Sequence, residues 1–344
     1  MEQSKNQEIE ILSPNIKILR PDPSLKEKSS LLEKKLLSIL NLTDLYYEDI
    51  PLKSNSQIYH HTLRSKYDPL KPTFILIHGY LGSSTNYIPL SKYLIQKYNL
   101  FIPDTIGCAL SSRPQIKFTS SEQCVNFYID TLHQFILSLN LNNKFYICGH
   151  SLGGYFVSSY SLKYPQNIEK VLLLSPAGIS DIKNYDGDIH ENCSFFRSFG
   201  LKISKIFSPF ETTVQDVYHN FLLKPFFKLG FKKRFDVSNE LNEIFSELTQ
   251  IYMDYPSDLD KSLFYIFTYP FPLCALPNEK KLLEESKLKY IICFGEFDWM
   301  DQCGSKRLEN KCKDRFKVYI VSKKGHKFAT ENPEELANII FNNF

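Results

Sequence analysis

Gly149-His150-Ser151-Leu152-Gly153 carries the G-x-S-x-G pattern in a setting that suits nucleophilic chemistry. An apolar run, Phe145 to Cys148, precedes it and a helix-length segment follows, so Ser151 falls on a sharp turn from strand to helix. The glycines allow strand and helix to approach closely at that turn, and the helix N-terminus favours negative charge developing on a bound reactant. A serine hydroxyl is a poor nucleophile near neutral pH, so it needs a general base and an acid to orient that base. His326, in Lys324-Gly325-His326 just after the last strand-like run, is the candidate base, because a loop there can carry its imidazole over Ser151. The acid is sought in Phe294-Gly295-Glu296-Phe297-Asp298-Trp299-Met300-Asp301. Asp298, three residues past the glycine that ends a strand, is the first choice, Asp301 is the alternative, and Glu296 reads as a solvated loop residue.

A tetrahedral intermediate also needs donors for its oxygen. His78-Gly79-Tyr80-Leu81-Gly82 follows the first deep strand, and the backbone amides of Tyr80 and Leu152 are the candidate oxyanion donors, each worth about 3 kcal/mol when well aimed. The other histidines have plainer readings: His60 and His61 as strand or surface residues, His133 on a helix, His190 and His219 in an insertion, and His78 and His150 as supports of their motifs.

These residues must be held by a scaffold, and the hydropathy pattern describes one. Short apolar runs at Thr73–Ile77, Leu100–Ile102, Phe145–Cys148 and Val171–Leu174 alternate with helix-length segments such as Ser120–Leu139 and Gly153–Tyr164. Continuous apolar runs suit strands buried on both faces, and the alternation predicts a mostly parallel sheet with crossover helices. The rhythm stops near Gly178 and resumes at Tyr290–Phe294 and Lys317–Val321, closing with a helix from Glu334. The division that follows is an N-terminal extension over 1–45, a core over 46–178 and 290–344, and a helical cap inserted over 179–289. Within the extension, Leu32, Leu36, Leu37 and Leu40 share one face of an amphipathic helix predicted over Ser30–Leu42, read as packing on the body of the protein.

Of the 344 residues 43% are hydrophobic and 23% charged, enough apolar material for a sizeable core and far too much for a disordered chain. A formal net charge of +3 makes no case for nucleic acid as partner. The eight cysteines form no C-x-x-C pair or dense framework and are read as reduced thiols; no zinc spacing or dinucleotide fingerprint occurs, so no metal or cofactor is expected. Met1 to Glu10 lack the apolar core of a signal peptide, and no stretch reaches about 18 apolar residues.

With the elbow and the Ser, Asp, His order in place, the sequence resembles the α/β-hydrolase superfamily from about Thr73 onward. Ser111-Ser112-Arg113-Pro114, Ser161-Leu162-Lys163-Tyr164-Pro165, Pro176-Ala177-Gly178 and Phe231-Lys232-Lys233-Arg234-Phe235 are similar to its abhydrolase-domain four and five subfamily of lipid acyl hydrolases, acyltransferases and lipase co-activators. Glu296-Phe297-Asp298-Trp299-Met300 resembles fungal and plant members of that group, which favours Asp298 over Asp301. Ala109 stands where the subfamily usually has a second glycine after Asp104. Glu331 stands where the H-x-x-x-x-D element linked to acyl transfer has its aspartate. The co-activator branch replaces the elbow serine by asparagine, whereas Ser151 is retained here.

Between Phe195 and Phe235 lie ten Phe, eight Lys or Arg and two acids, a local charge of +6 that suits contact with anionic lipid as well as an acyl pocket. The expectation is a serine hydrolase of (lyso)glycerophospholipid acyl esters, with acyl transfer to lysophosphatidic acid as a further outcome and a cytoplasmic pool partly bound to membranes or lipid droplets. A scaffold that regulates a partner lipase, and a carboxylesterase of non-lipid substrates, are the alternatives.

Overall fold

The computed structural model describes residues 16–180, 213–220, 224–232, 234–255, 257–267 and 274–344. Its centre is an eight-stranded sheet: β1 (Leu45–Pro51), β2 (Tyr59–Ser65), β3 (Thr73–Ile77), β4 (Asn99–Pro103), β5 (Phe145–His150), β6 (Ile168–Leu174), β7 (Tyr290–Gly295) and β8 (Phe316–Val321). Across the sheet the order is β1-β2-β4-β3-β5-β6-β7-β8. The β1–β2 and β2–β4 pairs are antiparallel and all others parallel.

The apolar runs are continuous because both faces of the sheet are covered. Ile75, Ile77, Ile147, Val171, Leu173, Ile292 and Phe294 enter one core cluster, while the alternating Phe74, Leu76, Cys148, Leu172, Leu174, Ile291 and Cys293 enter the other. Each such side chain contributes about 1.5–3 kcal/mol on burial, so a register slip of one residue would exchange the two cores and is resisted on both faces.

The helices on this sheet include α1 (Pro23–Ile39), α2 (Ile88–Leu94), α3 (Ser121–Ser138) and α4 (Leu152–Lys163). Helix α1 starts seven residues before the leucine periodicity announces it. Asp22 caps it by accepting the Ser24 N–H at 2.8 Å, and Pro23 takes the first turn. It ends ahead of Asn41, which takes a φ of 56°. Its buried face includes Leu36 and Leu37 but also Glu33, which reaches the sheet and the segment beyond it.

Between β6 and β7 the described residues form α5 (Val214–His219), α6 (Lys224–Lys232), α7 (Asn239–Asp254) and α8 (Glu279–Glu284), with α9 (Cys303–Lys311) and α10 (Pro333–Asn343) completing the core. Six of the ten phenylalanines of the basic stretch, at positions 195, 196, 199, 207, 210 and 221, lie outside the described residues. Among the described residues no helix is long and apolar enough to cross a membrane, and the seven cysteines described are free thiols.

Candidate active site

The register pairs Ile77 of β3 with Gly149 of β5, so the loops that follow both strands leave the same edge of the sheet side by side. Ser151 takes φ 56° and ψ −118°, a left-handed conformation in which a serine is strained by about 1–3 kcal/mol and which lifts its side chain off the strand direction. The strain is held by the Ser151 N–H on the Leu174 carbonyl at 2.8 Å and by the Ala177 N–H on the Ser151 carbonyl at 3.0 Å. The elbow glycines are sterically compulsory. A Cβ on Gly149 would lie 2.2 Å from the Gly153 carbonyl oxygen, and one on Gly153 would lie 2.4 Å from that of His78.

Gly79 is packed so closely on the elbow that its Cβ would be 2.9 Å from that of Ser151. The loop that carries Tyr80 therefore lies against Ser151 and Leu152, and neither the Tyr80 nor the Leu152 N–H has a partner among the described residues. His78 is pinned as the neutral tautomer: its Nδ1–H donates to the Gly79 carbonyl at 2.8 Å, and its Nε2 accepts the Thr105 N–H at 2.9 Å. Burial pushes its pKa down to about 4, in keeping with those partners.

Gly295 brings the second and third parts together. A Cβ there would meet the Gly325 carbonyl at 2.4 Å, so the loops after β7 and β8 run in contact. The Phe297 N–H donates to the Lys324 carbonyl at 2.9 Å. Asp298 Oδ1 stands 3.0 Å from His326 Nδ1 and also accepts the Met300 N–H at 3.0 Å; its Oδ2 accepts from the Ser175 hydroxyl. Burial opposes ionisation of Asp298, but the His326 charge and these hydrogen bonds outweigh it and hold the carboxyl below its ordinary range.

Asp301 does not reach His326. It accepts from the Ser180 hydroxyl and, at 2.9 Å, from the Cys303 N–H at the start of α9. Glu296 accepts the Lys323 N–H at 2.8 Å at the surface. His326 is seated by His150, whose Nε2–H donates to the His326 carbonyl at 2.8 Å, and by the Trp299 ring 4.9 Å away. The Ser151 hydroxyl makes no hydrogen bond to His326 in this structure; nucleophile–base contacts of this kind commonly tighten once substrate is bound.

Beside the elbow opens a cleft of about 750 Å³, counting its solvent-open mouth. Tyr80, Leu152 and Phe156 line it from the sheet side, and Tyr252, Met253 and Leu263 from the segment between β6 and β7. Ala109, also on its wall, has φ 43°, a conformation easier for glycine than for alanine. Among the described residues no group of three or more His, Cys, Asp or Glu is arranged to hold a metal ion.

Two contributors escape a reading by sequence. Ser175 is an ordinary serine at the end of β6, and only the pairing of β6 with β7 puts its hydroxyl on Asp298. Arg234 lies in a basic run more than 60 residues from Ser151, Asp298 and His326, yet donates to the Leu81 carbonyl at 2.5 Å. Glu331 Oε1 accepts the Asp236 N–H at 3.2 Å, so it faces the segment between β6 and β7.

Residues 72–208 match the family described as alpha/beta hydrolase fold. The chain is 24% identical over 280 residues to a probable 1-acylglycerol-3-phosphate O-acyltransferase of Oryza sativa subsp. japonica, covering 78% of this chain and 66% of that protein. It is 30% identical over 184 residues to a 1-acylglycerol-3-phosphate O-acyltransferase of Arabidopsis thaliana, covering 49% and 43%. The match thus spans slightly under two thirds of the first relative's length and less than half of the second's. Among solved structures, carboxylesterase CesB of Bacillus subtilis superposes with a TM-score of 0.64 at 18% identity, covering 93% of this chain and 98% of that one. A bacterial membrane phospholipase A superposes with 0.64 at 17%, covering 92% of each. At these identities the structural likeness speaks for the fold.

Proposed function

We propose that this chain, which has the α/β-hydrolase fold, is a serine acyl hydrolase of (lyso)glycerophospholipid esters. The observation that carries the reading is the Asp298–His326 hydrogen bond at 3.0 Å, tied by His150 to an elbow in which Ser151 has a positive φ. In this reading Ser151 Oγ attacks the ester carbonyl while His326 takes its proton. The Tyr80 and Leu152 N–H groups receive the oxyanion, and Asp298 keeps the imidazole oriented and stabilises its protonated form. His326 then protonates the leaving alcohol, and water activated by the same imidazole releases the fatty acid.

A second fate of the acyl-enzyme has its own support. The rice and Arabidopsis relatives are named for acyl transfer to 1-acylglycerol-3-phosphate. A lysophosphatidic acid hydroxyl in place of water would give the same exchange, with His326 as base. Lipid contact is supported by α6, where Phe226 is 72% and Leu229 66% exposed beside the exposed Lys228 and Lys232, an arrangement that suits an anionic lipid surface.

Mass spectrometry of products from mixed phospholipid vesicles, with and without lysophosphatidic acid and acyl-CoA, tests the reading in wild type and Ser151→Ala. Fatty acid release that disappears in Ser151→Ala is the expected result, and new phosphatidic acid adds the transfer reaction. Products identical in the two proteins would overturn it. Labelling by a fluorophosphonate probe would then separate an esterase of other substrates from a non-catalytic scaffold.

A further inference from the structure

Gly79 to Gly82 form a four-residue turn closed by the Gly82 N–H on the Gly79 carbonyl at 3.0 Å, with Tyr80 and Leu81 as its central residues. Leu81 occupies the third place with φ 54°, a position that turns usually give to glycine or asparagine. Something outside the turn must hold a leucine there.

The holding contacts all come from the segment between β6 and β7. The Leu81 side chain packs with Tyr218, Phe231 and Met253. The Tyr80 hydroxyl donates to Asp260 at 3.4 Å. The Leu81 carbonyl accepts Arg234 Nη2 at 2.5 Å, while Nη1 of the same guanidinium donates to Thr249 Oγ1 on α7 at 3.0 Å. The backbone carbonyl of Arg234 accepts from Lys327, the residue after His326, and both cations lie over the Phe235 ring, at 5.3 and 4.9 Å. Among the described residues no carboxylate pairs with Arg234, although burial lowers its pKa to about 10. A half-buried cation without a counter-ion is a poor stabilising device, so its use must be sought elsewhere.

We infer that Arg234 is a positioning residue of the active site, holding Leu81 in its left-handed conformation and thereby aiming the Tyr80 N–H, while tying that turn to α7 and to the His326 loop. The inference rests on the reading of Ser151 as nucleophile only for its consequence on rate; the hold on the turn stands apart from it. Displacement of the segment between β6 and β7 would, by the same contacts, disarm the oxyanion donors without touching Ser151.

The test compares wild type, Arg234→Gln and Arg234→Lys by hydrogen exchange over residues 79–83 and by steady-state kinetics on p-nitrophenyl butyrate, a neutral soluble ester. In Arg234→Gln the Gly82 amide is expected to exchange at least about tenfold faster. Its kcat should fall ~10- to 100-fold with KM within about threefold, as for a misaimed catalytic group. Arg234→Lys, which keeps one donor for the Leu81 carbonyl, should fall between. Should Arg234→Gln not fold, Thr249→Val, which removes only the second anchor, is expected to speed Gly82 exchange by about threefold. Unchanged exchange overturns the inference whatever the kinetics. Loss of turnover confined to anionic phospholipids, with the neutral ester unaffected, overturns it in favour of a headgroup contact. If wild type shows no Ser151-dependent turnover, it is the nucleophile reading that fails, and the exchange data still decide whether Arg234 holds the turn.

Discussion

Replacing Asp298 by Asn should leave the imidazole correctly oriented and still cost about three orders of magnitude in rate. The reason lies in how the carboxylate is used. Oδ1 serves both the His326 Nδ1–H and the Met300 N–H, whereas Oδ2 meets only the Ser175 hydroxyl, which can turn to accept as readily as it donates. An Asn amide oxygen in the Oδ1 place therefore keeps both N–H donors, and its NH2 finds Ser175. What disappears is charge. An imidazolium centred about 4 Å from a carboxylate at an effective dielectric near 20 is stabilised by about 4 kcal/mol, a factor of ~10³ in rate. Asp298→Ala should cost more, ~10⁴, because the Met300 N–H and the His326 Nδ1–H are left buried and unpaired. Asp301→Asn, which touches only Ser180 and Cys303, should cost less than about threefold. Initial rates on p-nitrophenyl butyrate, normalised to active sites counted with a fluorophosphonate and accompanied by melting curves, measure all three. Asp298→Asn retaining more than a tenth of the activity would refute the reasoning, and so would Asp301→Asn matching its loss.

Other expectations follow from the same structure. Gly149→Ala and Gly153→Ala press a Cβ onto backbone oxygens at 2.2 and 2.4 Å, so each should lose about 3 kcal/mol and at least ~5 °C in calorimetric melting temperature; a loss under about 1 °C would contradict the packing. Burial disfavours a charged His61, but its hydrogen bonds to Asp49 at 2.6 Å and Glu33 at 3.4 Å prevail and raise its pKa to about 10. A group raised in the folded state stabilises fully below its unfolded pKa near 6.5 and loses that contribution as pH rises through about 10. Melting temperature should therefore fall across that window in wild type and stay flatter in His61→Gln; superimposable profiles would remove His61 from the argument. The double variant Phe226→Ser, Leu229→Ser should bind anionic vesicles at least about tenfold more weakly in sedimentation while hydrolysing p-nitrophenyl butyrate as before, and equal binding would exclude α6 as the contact.

The strands and the elbow were legible in the sequence because the forces that create them are local. A strand buried on two faces must be apolar at every position, and the runs at Thr73–Ile77 and Phe145–Cys148 say so without reference to any other part of the chain. A strand-to-helix turn this tight admits no Cβ at 149 or 153, and the G-x-S-x-G spelling records that exclusion. The antiparallel strands β1 and β2 gave no such signal. Their polar residues, His60 and His61 among them, are buried against partners brought from elsewhere: the Asp104 carbonyl 2.7 Å from His60, and Asp49 and Glu33 around His61. Helix α1 was visible through its leucines, yet its start at Asp22 rests on capping, and its buried Glu33 on Tyr252 of α7, 219 positions away.

Tertiary structure alone decided what depends on distance across the fold. Asp298 and Asp301 lie three residues apart in one loop, and although position favoured Asp298, it is the packing of the β7 loop on the β8 loop that turns one toward His326 and the other toward Ser180. The same holds for the Ser175 hydroxyl and for Arg234 on the Leu81 carbonyl, whose partners lie 123 and 153 positions away. Residue type and local period determine which segments become strand, turn and helix; hydrogen bonds whose ends are far apart in sequence leave no periodic trace and come into being only when the sheet has closed.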